Sequence, residues 1–196
     1  MFNQNDKKEL ILAQERKFAA QLGRHVLSKP KLHTWMILIP FLFVFFIQDL
    51  MKYKKGRRAF SDNYLLSHER ALKEAEDALA QGRKPDAGAI ARQADLQGKS
   101  QEKYAEFLTL LVEHYTCLLQ AQGDSYESLV RSAYGNNRTN FLLFNNLLNQ
   151  AEKKLNQALT KQLSKDQDGV AITIQKMEVG SNQLRRTEAE QIFMVA

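Results

Sequence analysis

The run from Trp35 to Ile47, thirteen residues interrupted only by Pro40, constrains this chain more than any other feature. It carries cations on both flanks and sits in a chain whose mean hydropathy is −0.44. Thirteen helical residues reach roughly 20 Å, short of the roughly 30 Å hydrocarbon core of a bilayer. Extending the run to Leu32–Met51 reaches a spanning length but enlists His33, Thr34, Gln48 and Asp49. Proline inside a helix removes one backbone hydrogen bond and kinks the rod. The segment therefore predicts a membrane-inserted element with Leu32–Ile39 and Phe41–Met51 as two arms of a re-entrant hairpin, or else a single kinked span. A buried core helix fits less well. Apolar character on every face would need protein all round, and the rest of the chain is too amphipathic to supply it.

In this reading Trp35, Met36, Ile37, Leu38, Ile39 and Pro40 enter one leaflet. Phe41, Leu42, Phe43, Val44, Phe45, Phe46 and Ile47 leave it. Residues 1–60 hold 12 Lys/Arg against 4 Asp/Glu, a net +8, and the remainder holds 16 against 18, a net −2. Lys29, Lys31, Lys52, Lys54, Lys55, Arg57 and Arg58 are the expected contacts to anionic lipid headgroups, each contributing about 1 kcal/mol near such a surface. The cations before and after the run are nearly balanced, so the positive-inside rule does not choose an orientation. Both ends are expected on the cytoplasmic face of an inner or plasma membrane. "KYKKGRR", directly beside the apolar run, reads as a lipid-facing anchor rather than a nucleic-acid patch. The proline-broken membrane helix resembles that of monotopic phosphoglycosyl transferases. The resemblance covers this one segment, and the Asp-Glu catalytic pair of that family has no adjacent Asp-Glu counterpart here, so it implies no activity.

Elsewhere the pattern is helical. Residues 62–196 are rich in Ala, Leu, Gln, Glu, Lys and Asn, and the whole chain has only 9 Gly and 3 Pro. Before the apolar run, Ile11, Phe18, Leu22 and Val26 recur at helical spacing among Lys7, Lys8, Arg16, Lys17 and Arg24. That is a basic amphipathic helix, fit for a headgroup plane or for packing on a bundle. Asp86 is placed to cap a helix after the Gly82–Gly88 turn, and Asp124 with Glu127 suggests a capping box. The fold class expected is all-α: a membrane-inserted helical hairpin or kinked span, preceded by the basic helix and followed by an antiparallel helical bundle. The organisation is 1–31 basic helix, 32–60 inserted segment, 61–166 cytoplasmic bundle and 167–196 C-terminal helical tail. In the tail Val170, Ile172 and Ile174 alternate as in a strand, but no second strand is available to pair, so helix is preferred.

Chemistry is sparse. No Walker, GxGxxG, GxSxG or HExxH motif occurs, nor the paired Glu-x-x-His of di-iron bundles. His68 and His114 lack a companion ligand set and read as ordinary bundle histidines. Cys117 is a lone cysteine expected to be a small buried residue. No cofactor and no metal is implied. Phe141, Phe144, Leu148, Ala151 and Leu155 form a near-heptad stripe that can face a partner helix or pack at home.

These features predict a membrane-anchored, non-enzymatic helical scaffold, bacterial in setting. Its partners would be membrane lipids and either another protein or further copies of itself, with no nucleic acid. The alternative is a lipid-handling or small-molecule-binding membrane-associated protein or enzyme whose site lies between bundle helices, near His68, His114 and Glu113. A third reading is a sensor of membrane charge or curvature built on residues 1–60.

Overall fold

A computed structural model describes residues 3–26, 56–94, 96–160 and 167–194. Every regular element among them is a helix. We number these α1 (Gln4–Val26), α2 (Gly56–Gln81), α3 (Ala87–Arg92), α4 (Lys99–Gln120), α5 (Tyr126–Ala133), α6 (Arg138–Thr160) and α7 (Gln167–Met194).

The all-α bundle is the architecture observed. Five long helices close a ring in which α1 packs on α2, α2 on α4, α4 on α6, α6 on α7 and α7 back on α1. The short α3 leans on α4, while α5 bridges α4 and α7. The amphipathic spacing in α1 turns Ile11, Leu12, Phe18, Ala19, Leu22 and Val26 inward. Burying a side chain the size of Leu or Phe contributes roughly 1.5–3 kcal/mol, so this stripe is what seats α1 in the ring. Tyr104, Leu108, Leu111, Tyr115 and Leu118 do the same for α4. The C-terminal segment is helix, and its Met177, Ala189 and Ile192 are core residues.

Local signals are met with one shift. Asp86 caps α3, its carboxylate accepting from the Ala89 N–H at 2.9 Å. The capping box of α5 falls one residue later than expected. Ser125 is the cap, accepting from Ser128 N–H at 3.2 Å while the Ser128 hydroxyl oxygen accepts from Ser125 N–H at 3.0 Å. Gly123 precedes it because a Cβ there would lie 2.9 Å from the Leu129 nitrogen. Among the described residues no helix is long and apolar enough to cross a membrane. The expected insertion residues, Trp35 to Ile47, lie outside the described residues, as do Lys29, Lys31, Lys52, Lys54 and Lys55. Arg57 and Arg58 fall in the first turn of α2.

Candidate functional site: the polar axis of the ring

Each helix of the ring sends a polar group toward its centre. Glu15 comes from α1, Tyr64 and His68 from α2, His114 and Tyr115 from α4, Asn145 and Glu152 from α6, Arg185 and Glu188 from α7. Tyr115 Oη donates to Glu15 Oε1 at 2.9 Å. That uses the only phenolic proton, so His68 Nδ1–H donates to Tyr115 Oη at 2.7 Å and also lies 3.1 Å from Glu15 Oε2. Burial disfavours the Glu15 charge. His68 and the Tyr115 hydroxyl outweigh that cost and hold the carboxyl below its ordinary range. Burial, with Glu15 adding to it, pushes the Tyr115 phenol well above the ordinary tyrosine range.

Arg185, 4% exposed, forks onto Glu152 at 2.8 and 2.6 Å and also donates to Asn149 Oδ1. Its guanidinium lies 5.5 Å from the centroid of the Phe18 ring on α1. Burial works against this charge, but the facing Glu152 carboxylate more than restores it, so the arginine stays cationic. Gln14 Nε2 donates to Glu188 Oε1 at 2.6 Å, and burial pushes the Glu188 carboxyl up to about 7. His114 pairs through Nδ1 with Tyr134 Oη at 2.8 Å and stacks on Phe144 at 4.4 Å. Burial lowers it to about 4, so it is neutral near pH 7. Two buried nitrogens, His68 Nε2 and Asn145 Nδ2, have no hydrogen-bond partner among the described residues.

Gln14, Glu15, His68, Asn145, Arg185 and Glu188 line one cavity of about 30 Å³. A water or a small ion fits such a space, and a nucleotide does not. A second slot of about 50 Å³ is lined by Tyr64, His68, Tyr104, Phe107, Glu152 and Glu178. Outside the ring, an open groove of about 790 Å³ runs between α6 and α7 past Leu143, Asn146, Val179 and Arg186. Among the described residues no three His, Cys, Asp or Glu side chains converge to hold a metal ion.

His68 and His114 thus sit in the core with partners, on the axis itself, while Glu113 is exposed. Cys117 is exposed rather than buried, because the α4 core face runs through Leu111, Tyr115 and Leu118 and leaves it outside. Phe141, Leu148, Ala151 and Leu155 are buried in the chain's own core, and Phe144 is half-buried against His114. Of the apolar C-terminal residues, Ile192 is buried and Met194 is 68% exposed. Sequence reading missed Glu15, Glu152, Arg185, Glu188 and Asn145. A signal existed: Glu15 interrupts the stripe Ile11, Phe18, Leu22, and Arg185 shares a helical face with Ser181, Glu188 and Ile192.

A family model, DUF4371, described as the ZMYM1/FAM200, RNase-like domain, matches residues 47–191, which is 145 of 196 residues. The chain belongs to this family. Comparison with curated proteins and with solved structures gave no match. The DUF4371 region takes in α2 through α6 and most of α7, and α1 lies before it.

The match overturns several expectations. Its description names an RNase-like domain, not a membrane anchor, so the monotopic membrane scaffold and the membrane-associated lipid-handling alternative both fall. With them go the lipid partners, the location at a membrane face and the exclusion of nucleic acid. The physical reason is visible in the boundaries. Lys52, Lys54, Lys55, Arg57 and Arg58 lie inside the DUF4371 region, so the basic flank is part of the domain rather than the trailing anchor of an inserted hairpin. Excess basicity beside an apolar run does not by itself distinguish a lipid phosphate from a nucleic-acid phosphate.

Proposed function

We propose that this chain associates with nucleic acid through its phosphate backbone, using a basic surface that begins on the second half of α1. The observation that carries the reading is membership of a family described as RNase-like. The charge distribution supports it. From Arg16 to Val26 the sequence holds Arg16, Lys17 and Arg24 and no acid, and all three cations are exposed. Lys29 and Lys31 continue the basic character along the sequence, and Lys52, Lys54, Lys55, Arg57 and Arg58 carry it into the DUF4371 region. Cations presented this way release counterions from a nucleic-acid backbone on binding, which gives affinity with little base preference.

The test is binding of a fluorescent single-stranded oligonucleotide by anisotropy between 50 and 200 mM salt. Affinity should fall steeply with salt. Replacing Arg16, Lys17 and Arg24 together by alanine should reduce the slope of log K against log salt by about two to three. Binding that ignores salt, or a slope the triple variant leaves unchanged, would overturn the reading.

A further inference from the structure

The open groove of about 790 Å³ between α6 and α7 is lined on both sides by side-chain amides, Asn146 and Gln150 from α6 and Asn182 and Gln183 from α7. Its size falls within the roughly 300–1,000 Å³ of ligand clefts. Asn146, Gln150 and Gln183 are exposed, and Asn182 is half-buried. These four make no hydrogen bond among the described residues, unlike the neighbouring Asn149, whose Oδ1 accepts from Arg185. A side-chain amide sets a donor beside an acceptor, which matches the N6 and N7 edge of adenine. The charges of the groove are compatible with a polyanion at its side. Glu152 is forked onto Arg185, and Glu190 accepts from Arg138 at 3.3 Å. That leaves Lys153 and Arg186 against Glu178, and a carboxylate accepts from an exocyclic base amine.

The groove is also continuous with the basic face of α1. That helix runs antiparallel along α7 beside the stretch that lines the groove, with Gln14 on Glu188 at one end and Leu22 and His25 against Gly180 at the other. Lys17 and Arg24, seven residues apart, share one exposed flank of α1, and Lys17 is near enough to Glu188 to act on its charge. Packed helix axes lie about 8–10 Å apart, a distance a base covers from its own phosphate. A concave groove suits splayed-out bases, whereas a duplex is read by a convex helix or ribbon entering it.

We propose that the α6–α7 groove reads the bases of a single strand through Asn146, Gln150, Asn182 and Gln183, with adenine preferred to pyrimidines, while the backbone of that strand follows the Lys17 and Arg24 flank of α1. The proposal rests on the nucleic-acid reading above and adds the class of strand and its base preference.

The test measures anisotropy of the full chain with single-stranded oligonucleotides of adenine, of cytosine and of thymine, matched in length. At one fixed salt concentration the adenine strand should bind at least about tenfold tighter, the gain from one good bidentate amide contact. Replacing the exposed Asn146, Gln150 and Gln183 together by alanine should erase that preference and leave the salt slope unchanged, because neutral amides release no counterions. Replacing Arg16, Lys17 and Arg24 should do the reverse, lowering the slope and keeping the preference. Equal affinity for the three strands in the wild type, which needs no variant to fold, would overturn the groove. A steep salt slope in that case would still leave the backbone reading standing. A preference that survives the amide variant would also overturn the groove. A preference that the amide variant erases, without any salt dependence, would keep the groove and remove the basic α1 surface instead.

Discussion

Arg185 and Glu152 are the clearest single interaction in the molecule, a forked pair of which the arginine is nearly sealed from water. Such pairs add little net stability compared with apolar side chains of the same size, but orphaning one partner is expensive. Arg185→Met should therefore cost about 3–5 kcal/mol in urea unfolding. The double change Arg185→Met with Glu152→Met should cost distinctly less than the sum of the two single changes. Strict additivity would mean the fork is not coupled. None of this was readable residue by residue. The charged positions on the inner faces of α1 and α7 were visible as interruptions of apolar stripes, yet a stripe cannot say which charge on a distant helix an interruption meets. Asp86 was legible because a cap acts within four residues of itself.

At the scale of the helix, the crossing of α1 over α7 turns on Gly180. A Cβ built there would lie 3.1 Å from Leu22 Cδ1 and 3.4 Å from His25 Cβ, so the absent side chain is what lets the helices approach. Gly180→Ala gains about 1 kcal/mol of helix propensity and meets an overpacking penalty of about 1–3 kcal/mol. Leu22→Ala opens a cavity and should cost about 2–5 kcal/mol. In combination the two should partly rescue each other: Gly180→Ala should destabilise the wild type and stabilise the Leu22→Ala background. The same sign in both backgrounds would show that the helices do not meet there. The helices themselves, and which face of each is apolar, follow from the 3.6-residue periodicity. That α1 would seal a ring rather than lie in a headgroup plane does not, because the same basic amphipathic pattern satisfies both.

The molecule as a whole carries two buried titrations of opposite sense. The Glu188 carboxyl is raised to about 7, so its contribution to stability is full below its ordinary range and is lost as pH rises toward 7. The His114 imidazole is lowered to about 4, so its contribution is present above its ordinary range and is lost as pH falls toward 4. Between about pH 5 and 6.5 the two slopes nearly cancel, and unfolding free energy should be almost flat with respect to them. Glu188→Gln should unmask the histidine, giving stability that rises with pH by up to about 1.4 kcal/mol per unit in that window. His114→Phe should reveal the falling slope instead. Identical pH profiles for wild type and both variants would place these groups in water. The family could not be inferred from composition, because a basic segment beside an apolar run suits two anionic surfaces equally. The match across residues 47–191 supplies the family instead.

One consequence follows from where that match begins. The DUF4371 region begins only after α1, yet α1 supplies one wall of the ring, Ile11 and Leu22 at 0% exposure among its contributions. A chain severed at the family boundary would carry a trough the length of a 23-residue helix, lined with leucine, tyrosine and an unmatched set of donors. The complement of that trough is α1 itself, so a peptide of residues 4–26 added to a chain severed there should restore its thermal stability, and no gain on mixing would show that α1 is dispensable to the ring.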